Sequence, residues 1–164
     1  MLNKKVQDAL NQQLNAELYS SYEYLSMSAF FDEQNLDGMA KWMKVQSREE
    51  YEHAMKFYDY ILQANGKVEL NTIKEPTKSF KTPLDVFEET YQHEKNVTKM
   101  IYKLFDVALA EKDHATNIFL HWFITEQVEE EATALKIVDK LKMLADTKSG
   151  LYLIDRELGQ RASR

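Results

Sequence analysis

Arg48-Glu49-Glu50-Tyr51-Glu52-His53 lies in the middle of a long helical pattern and sets Glu50 and His53 three residues apart. Residues at that spacing share one face of an α-helix, so a carboxylate and an imidazole converge there on a point suited to a metal ion. Alone, the pair says little. A histidine on an apolar stripe is usually a satisfied core residue, and a run of glutamates is usually a solvated face. Its company decides the reading: Glu17, Glu94 and the pair Gln127 and Glu130 stand near the middle of three other helix-length segments. A four-helix bundle would gather all six side chains at one height.

Only four glycines and two prolines punctuate the chain, at Gly38, Gly66, Pro76, Pro83, Gly150 and Gly159. Between them the sequence predicts helices over 3–32, 37–64, 83–110 and 113–145, with a short fifth from 149. Asp37 and Asp113 read as N-caps, Pro83 after Thr82 suits a first helical turn, and Asn65-Gly66 reads as a C-terminal stop. Apolar stripes at spacings of three and four support each helix: Leu10, Leu14 and Tyr24; Met39, Trp42, Met43 and Phe57; Phe87, Val97 and Ile101; Leu120, Phe123, Ala134 and Ile137. In every one a ligand-type residue interrupts the stripe, and no strand pattern competes.

Loop lengths set the topology. The first two helices and the last two long ones are joined by short links and should be antiparallel neighbours. The segment from Asn65 to Thr82 is long enough, at about 3.3 Å per extended residue, to run the length of a helix. The expected fold is therefore all-α, a single domain over 1–164: a four-helix bundle with a long crossover between its second and third helices. Leu151, Leu153 and Ile154 make the short fifth helix too apolar for water, which suggests a subunit interface.

Composition narrows the function. A chain that is 44% hydrophobic and 29% charged is ordinary for a globular protein, and the lack of cysteine excludes disulfides, thiolate metal sites and Fe-S clusters. The amphipathic N-terminus and the absence of a run of about 18 apolar residues point to a cytoplasmic protein without a membrane span. A net charge of -6 argues against nucleic-acid binding. Four carboxylates buried in one layer would repel and protonate unless cations neutralise them. Oxygen ligands with a single imidazole favour iron or manganese over copper, with zinc as a competitor.

With Glu17 and Tyr24, Glu49-Glu50-Tyr51-Glu52-His53, Glu94, and Glu126-Gln127-Val128-Glu129-Glu130, the chain resembles the bacterial non-haem ferritins from its first helix to its fifth. The ferritin-like proteins are themselves the standard example of helix-bundle di-iron sites. The resemblance implies that Glu17, Glu50, His53 and Gln127 surround one iron, and that Glu50, Glu94 and Glu130 surround a second, with Glu50 bridging. It implies a third iron site from Glu49, Glu126, Glu129 and Glu130, and makes Tyr24 a candidate electron donor. The implied activity is a ferroxidase: Fe(II) is oxidised by O2 or H2O2 and stored as a ferric oxyhydroxide mineral inside an octahedral shell of twenty-four identical subunits.

Departures from relatives narrow this. Bacterioferritins repeat Glu-x-x-His on the fourth helix and place a haem-ligating Met directly after the bridging Glu; here Gln127-x-x-Glu130 and Tyr51 stand there, so no haem is expected. Animal ferritins line their three-fold channels with acids ten and seven residues before the fourth-helix Gln, where this chain has Asn117 and Leu120. The alternative is a mini-ferritin that detoxifies iron with peroxide; such proteins place the site between subunits and often carry a basic N-terminal arm, and only Lys4 and Lys5 stand near this start. Trp122 reads as packing, and Met27, Met39, Met43 and Met55 as core.

Overall fold

Asn3 starts the first helix by accepting the Lys5 amide at 2.8 Å, and α1 runs Lys4–Glu33. The structure, a computed structural model, describes residues 1–162. A tight turn with Asn35 at φ 57 leads to α2, Asp37–Gln63. Asn65 and Gly66 end α2 as expected, the Gly66 amide donating to Ile61 O at 2.8 Å. The left-handed residue is Asn65, at φ 56, a conformation asparagine tolerates. Helix α3 spans Pro83–Ala110 behind the Thr82 cap, and α4 spans His114–Leu144 behind Asp113, whose side chain accepts the Thr116 amide at 3.0 Å. Helix α5 is Lys148–Leu158. Among the described residues no helix is long and apolar enough to cross a membrane.

Paired bonds fix the directions. Ser21 donates to Ser47 O and Ser28 to Ala40 O, so α1 and α2 are antiparallel. Lys5 pairs with Glu111 while Thr90 reaches Met27, which makes α1 and α3 antiparallel and hence α2 and α3 parallel. The crossover between those parallel helices lies along α1: Asn11 bonds Lys67 O and the Glu69 amide, and Glu23 accepts the Thr77 amide.

Two apolar clusters fill the bundle, one around Tyr24, Phe31, Met43, Phe87 and Leu141, the other around Leu10, Phe57, Ile101, Leu120 and Phe123. Each fully buried Phe or Leu contributes about 1.5–3 kcal/mol. Between the clusters lies the polar layer.

Two expectations need correction. Asp37 is not the cap of α2; it lies in the first turn, and Leu36 holds the cap position with no side-chain bond. The missing acceptor comes from α5, where Asp155 Oδ1 accepts the Met39 amide at 2.8 Å. Nor is α5 apolar only towards other subunits. Ile154 is 1% exposed within its own chain, and Leu151 packs on the same cluster, leaving Tyr152 and Leu153 outward at 61% and 59% exposure.

Candidate metal centre

Four helices each deliver a polar side chain to the layer: Glu17 from α1, Glu50 and His53 from α2, Glu94 from α3, and Gln127 and Glu130 from α4, all buried. Ligand atoms of Glu17, Glu50 and His53 lie within 4.8 Å of one another, as do those of Glu50, Glu94 and Glu130. His53 Nδ1 stands 3.2 Å from Glu50 Oε2, close to the spacing of about 3 Å between neighbouring ligands on a metal with bonds of 2.0–2.2 Å.

Neutral amides flank this set. Gln13 donates to Glu17 Oε1 at 2.7 Å; Gln46 donates to Glu50 Oε1 at 2.8 Å and to Glu130 Oε2 at 2.9 Å, tying α2 to α4. Gln127 Nε2 donates to Glu94 Oε2 at 3.1 Å and to Thr98 at 3.2 Å, which leaves its Oε1 as the atom a metal would take. Tyr24 is fully buried and its hydroxyl donates to Glu94.

The electrostatics are those of a layer that wants cations. Burial pushes the carboxyls of Glu17, Glu94 and Glu130 well above the usual range, and the charge of Glu50 adds to it. Burial acts on Glu50 the same way, but the bond and charge of His53, with bonds from Glu17 and Gln46, outweigh it and hold this carboxyl low. For His53 burial opposes the proton, yet Glu50, Glu130 and Glu126 raise it above its ordinary value. Glu17 Oε2 is buried with no donor reaching it, so it needs its own proton or a cation. The donors are hard, and the set fits iron.

Glu126 and Glu130 converge with His53 in a further group, whereas Glu49 and Glu129 fall in no three-ligand group among the described residues. Glu49 is held by Arg161 at 2.6 Å. Trp122 lies edge-on to His53 at 5.3 Å between ring centres, with Lys56 Nζ 4.3 Å from its own ring centre.

Some participants were not read from the sequence. Gln13 and Gln46 stand four residues before Glu17 and Glu50, and this repeated spacing was a usable signal. His93, half-buried next to Glu94, bonds Ser20 at 2.8 Å and sits edge-on to Tyr24; a single histidine beside a ligand carries no such signal.

The ferritin-like domain family matches residues 7–144. The chain belongs to the ferritin family. This ferritin is 47% identical to the bacterial non-heme ferritin of Bacteroides fragilis over 161 residues, covering 98% of this chain and 100% of that one. It is 44% identical to that of Campylobacter jejuni, covering 95% and 93%. Its fold matches the open pore ferritin of the hyperthermophilic archaeon Archaeoglobus fulgidus with a TM-score of 0.97, at 47% identity and 98% coverage of both chains. An engineered closed form of that archaeal ferritin matches with a TM-score of 0.98 at 46% identity, with 100% of each chain covered. The non-haem ferritin expected from the sequence is thus the family found, and iron storage with ferroxidase activity in a homo-oligomer is its function.

Proposed function

We propose that Glu17, Glu50 and His53 hold one Fe(II) and that Glu50, Glu94 and Glu130 hold a second, within a single domain over 1–164 whose last two positions lie outside the described residues. The observation that carries this reading is that the two three-ligand groups share Glu50 and nothing else, as a bridging carboxylate requires. Two Fe(II) supply two electrons, enough to take O2 and two protons to H2O2, or H2O2 and two protons to two waters. The carboxyl protons displaced by iron from Glu17, Glu94 and Glu130 are the nearest source of those protons. Hard oxygen ligands favour Fe(III) over Fe(II) and so drive the oxidation. Gln127 would complete the site of Glu17, Glu50 and His53 through its Oε1; a neutral amide is a weaker ligand than a carboxylate and leaves room there for oxygen chemistry or metal exit. The hydrogen bond of the Tyr24 hydroxyl to Glu94 supports reading Tyr24 as a candidate electron donor near the irons.

The same proposal includes a third iron site with Glu49, Glu126, Glu129 and Glu130, no haem, no nucleic-acid partner, and a cytoplasmic location suited to a cysteine-free chain. It includes an octahedral shell of twenty-four subunits, with which the ferritin relatives are consistent. The di-iron groups are complete within one chain, which favours this reading over a mini-ferritin.

Anaerobic titration of the iron-depleted protein with Fe(II), followed by oxygen, tests it. Two tight sites per subunit and a burst of ferric absorbance are expected, and a single site or no burst would overturn it. Sedimentation separates the shells: a twelve-subunit particle would support the mini-ferritin.

A further inference from the structure

The C-terminal segment places a cation of its own on a proposed iron ligand. Arg161 Nη2 donates to Glu49 Oε2 at 2.6 Å, with only 16% and 8% of the two side chains exposed. The guanidinium carbon lies 4.3 Å from the centre of the Trp42 ring, and Nη1 reaches Trp42 O at 3.4 Å. Trp42 and Glu49 are seven residues apart on one face of α2, so a single arginine spans both. The segment is led there by α5, whose Asp155 binds the Met39 amide, and by Lys41, which donates to Gly159 O at 3.0 Å.

We propose that Arg161 sets the metal affinity of the third site by competing for Glu49, so that iron binds there more weakly while the guanidinium stays on Trp42 and Glu49. This rests on the third site proposed above. A planar guanidinium stacked on an indole and bonded to a carboxylate is held by two favourable interactions. A metal taking Glu49 must either displace the guanidinium from Oε2 or bind through Oε1 a carboxylate whose charge Arg161 already offsets, with the arginine's charge beside its own. Retention at this site would then be brief, and passage onward favoured.

The test uses assembled protein titrated with Zn(II), a redox-inert probe, in the wild type, Arg161→Ala and Arg161→Gln, the glutamine keeping bulk near Trp42 if alanine disturbs α5. Two tight sites per subunit are expected throughout, with a third site about tenfold tighter in both variants and absent in Glu49→Gln. In a Trp122→Phe background Trp42 is the only tryptophan, so its emission should change with the third equivalent when Arg161 is present and not in Arg161→Ala. Third-site affinity unchanged or weakened in both variants, or persisting in Glu49→Gln, would overturn the role of Arg161. No third site in the wild type or either variant would overturn the third-site reading as well, while the two tight sites counted in the same titration stand.

Discussion

Glu50 belongs to both ligand groups, so its loss cannot be confined to one metal. Glu50→Ala should slow Fe(II) oxidation by tenfold or more, judging from the roughly 10–100-fold effects of disturbing metal sites, and by more than Glu49→Ala; stopped-flow absorbance with both variants checks the order. Burial and the charge of Glu50 favour the protonated forms of Glu17, Glu94 and Glu130, and metal binding favours the opposite. Zn(II) binding near neutral pH should therefore release protons and tighten as pH rises, seen as heats that vary with the ionisation enthalpy of the buffer. The same shifts have a stability consequence. A carboxyl with a raised folded pKa stabilises the fold fully below the unfolded value of about 4.3, and that contribution is lost as pH rises through the folded value. Glu50, held low, contributes in the opposite sense, above about 4.3 and not below its folded value. Between about pH 5 and 8 Glu50 no longer changes, His53, held high, adds to the fall, and His93, held low by burial, opposes it, so with four groups against one the Tm in chelator should fall over that range, and Zn(II) should flatten the slope; a Tm that climbs throughout would contradict the assignment.

Helices are the scale at which the sequence was most informative, and α5 shows where its information stopped. The four long helices were legible because each repeats an apolar stripe over many turns, and the ligands were legible because they break those stripes at matching heights. Glu50 and His53 could be paired from spacing within one helix. Gln46 bridging to Glu130, or Arg161 reaching Glu49, depends on how separate helices dock, and no local pattern encodes that. Asp37 looked like a cap because acidic residues favour helix starts, whereas the acceptor is Asp155, distant in sequence. Docking of α5 also requires Gly38, since a Cβ there would lie 1.7 Å from Asp155 O. Gly38→Ala should destabilise by more than the about 1–3 kcal/mol typical of overpacking, and Asp155→Ala by about 1 kcal/mol, a typical cap loss. Thermal melts of both variants measure this; Gly38→Ala should also free the C-terminal segment for proteolysis.

At the scale of the assembly, Tyr152 and Leu153 face outward from a helix whose other apolar side chains are already covered. An exposed apolar pair of this kind fits contact with further copies of the chain. Leu153→Asp should yield smaller particles by sedimentation at neutral pH with the helical content of each subunit retained; an intact shell would remove Leu153 from the interface.

The polar layer separates the two apolar clusters along the bundle axis, so the protein has a waist where packing is interrupted by groups that repel or hold protons. The amides of the apolar ends should exchange more slowly than those of such a waist, which native-state hydrogen exchange of the metal-free protein would measure. Metal spanning Glu17, Glu50, Glu94 and Glu130 would join the four helices at that level, making the stored substrate a cross-link of its own container. Oxidation and departure of iron would then be felt as a cycle of stiffening and loosening at mid-height, leaving the two ends of each subunit rigid against their neighbours.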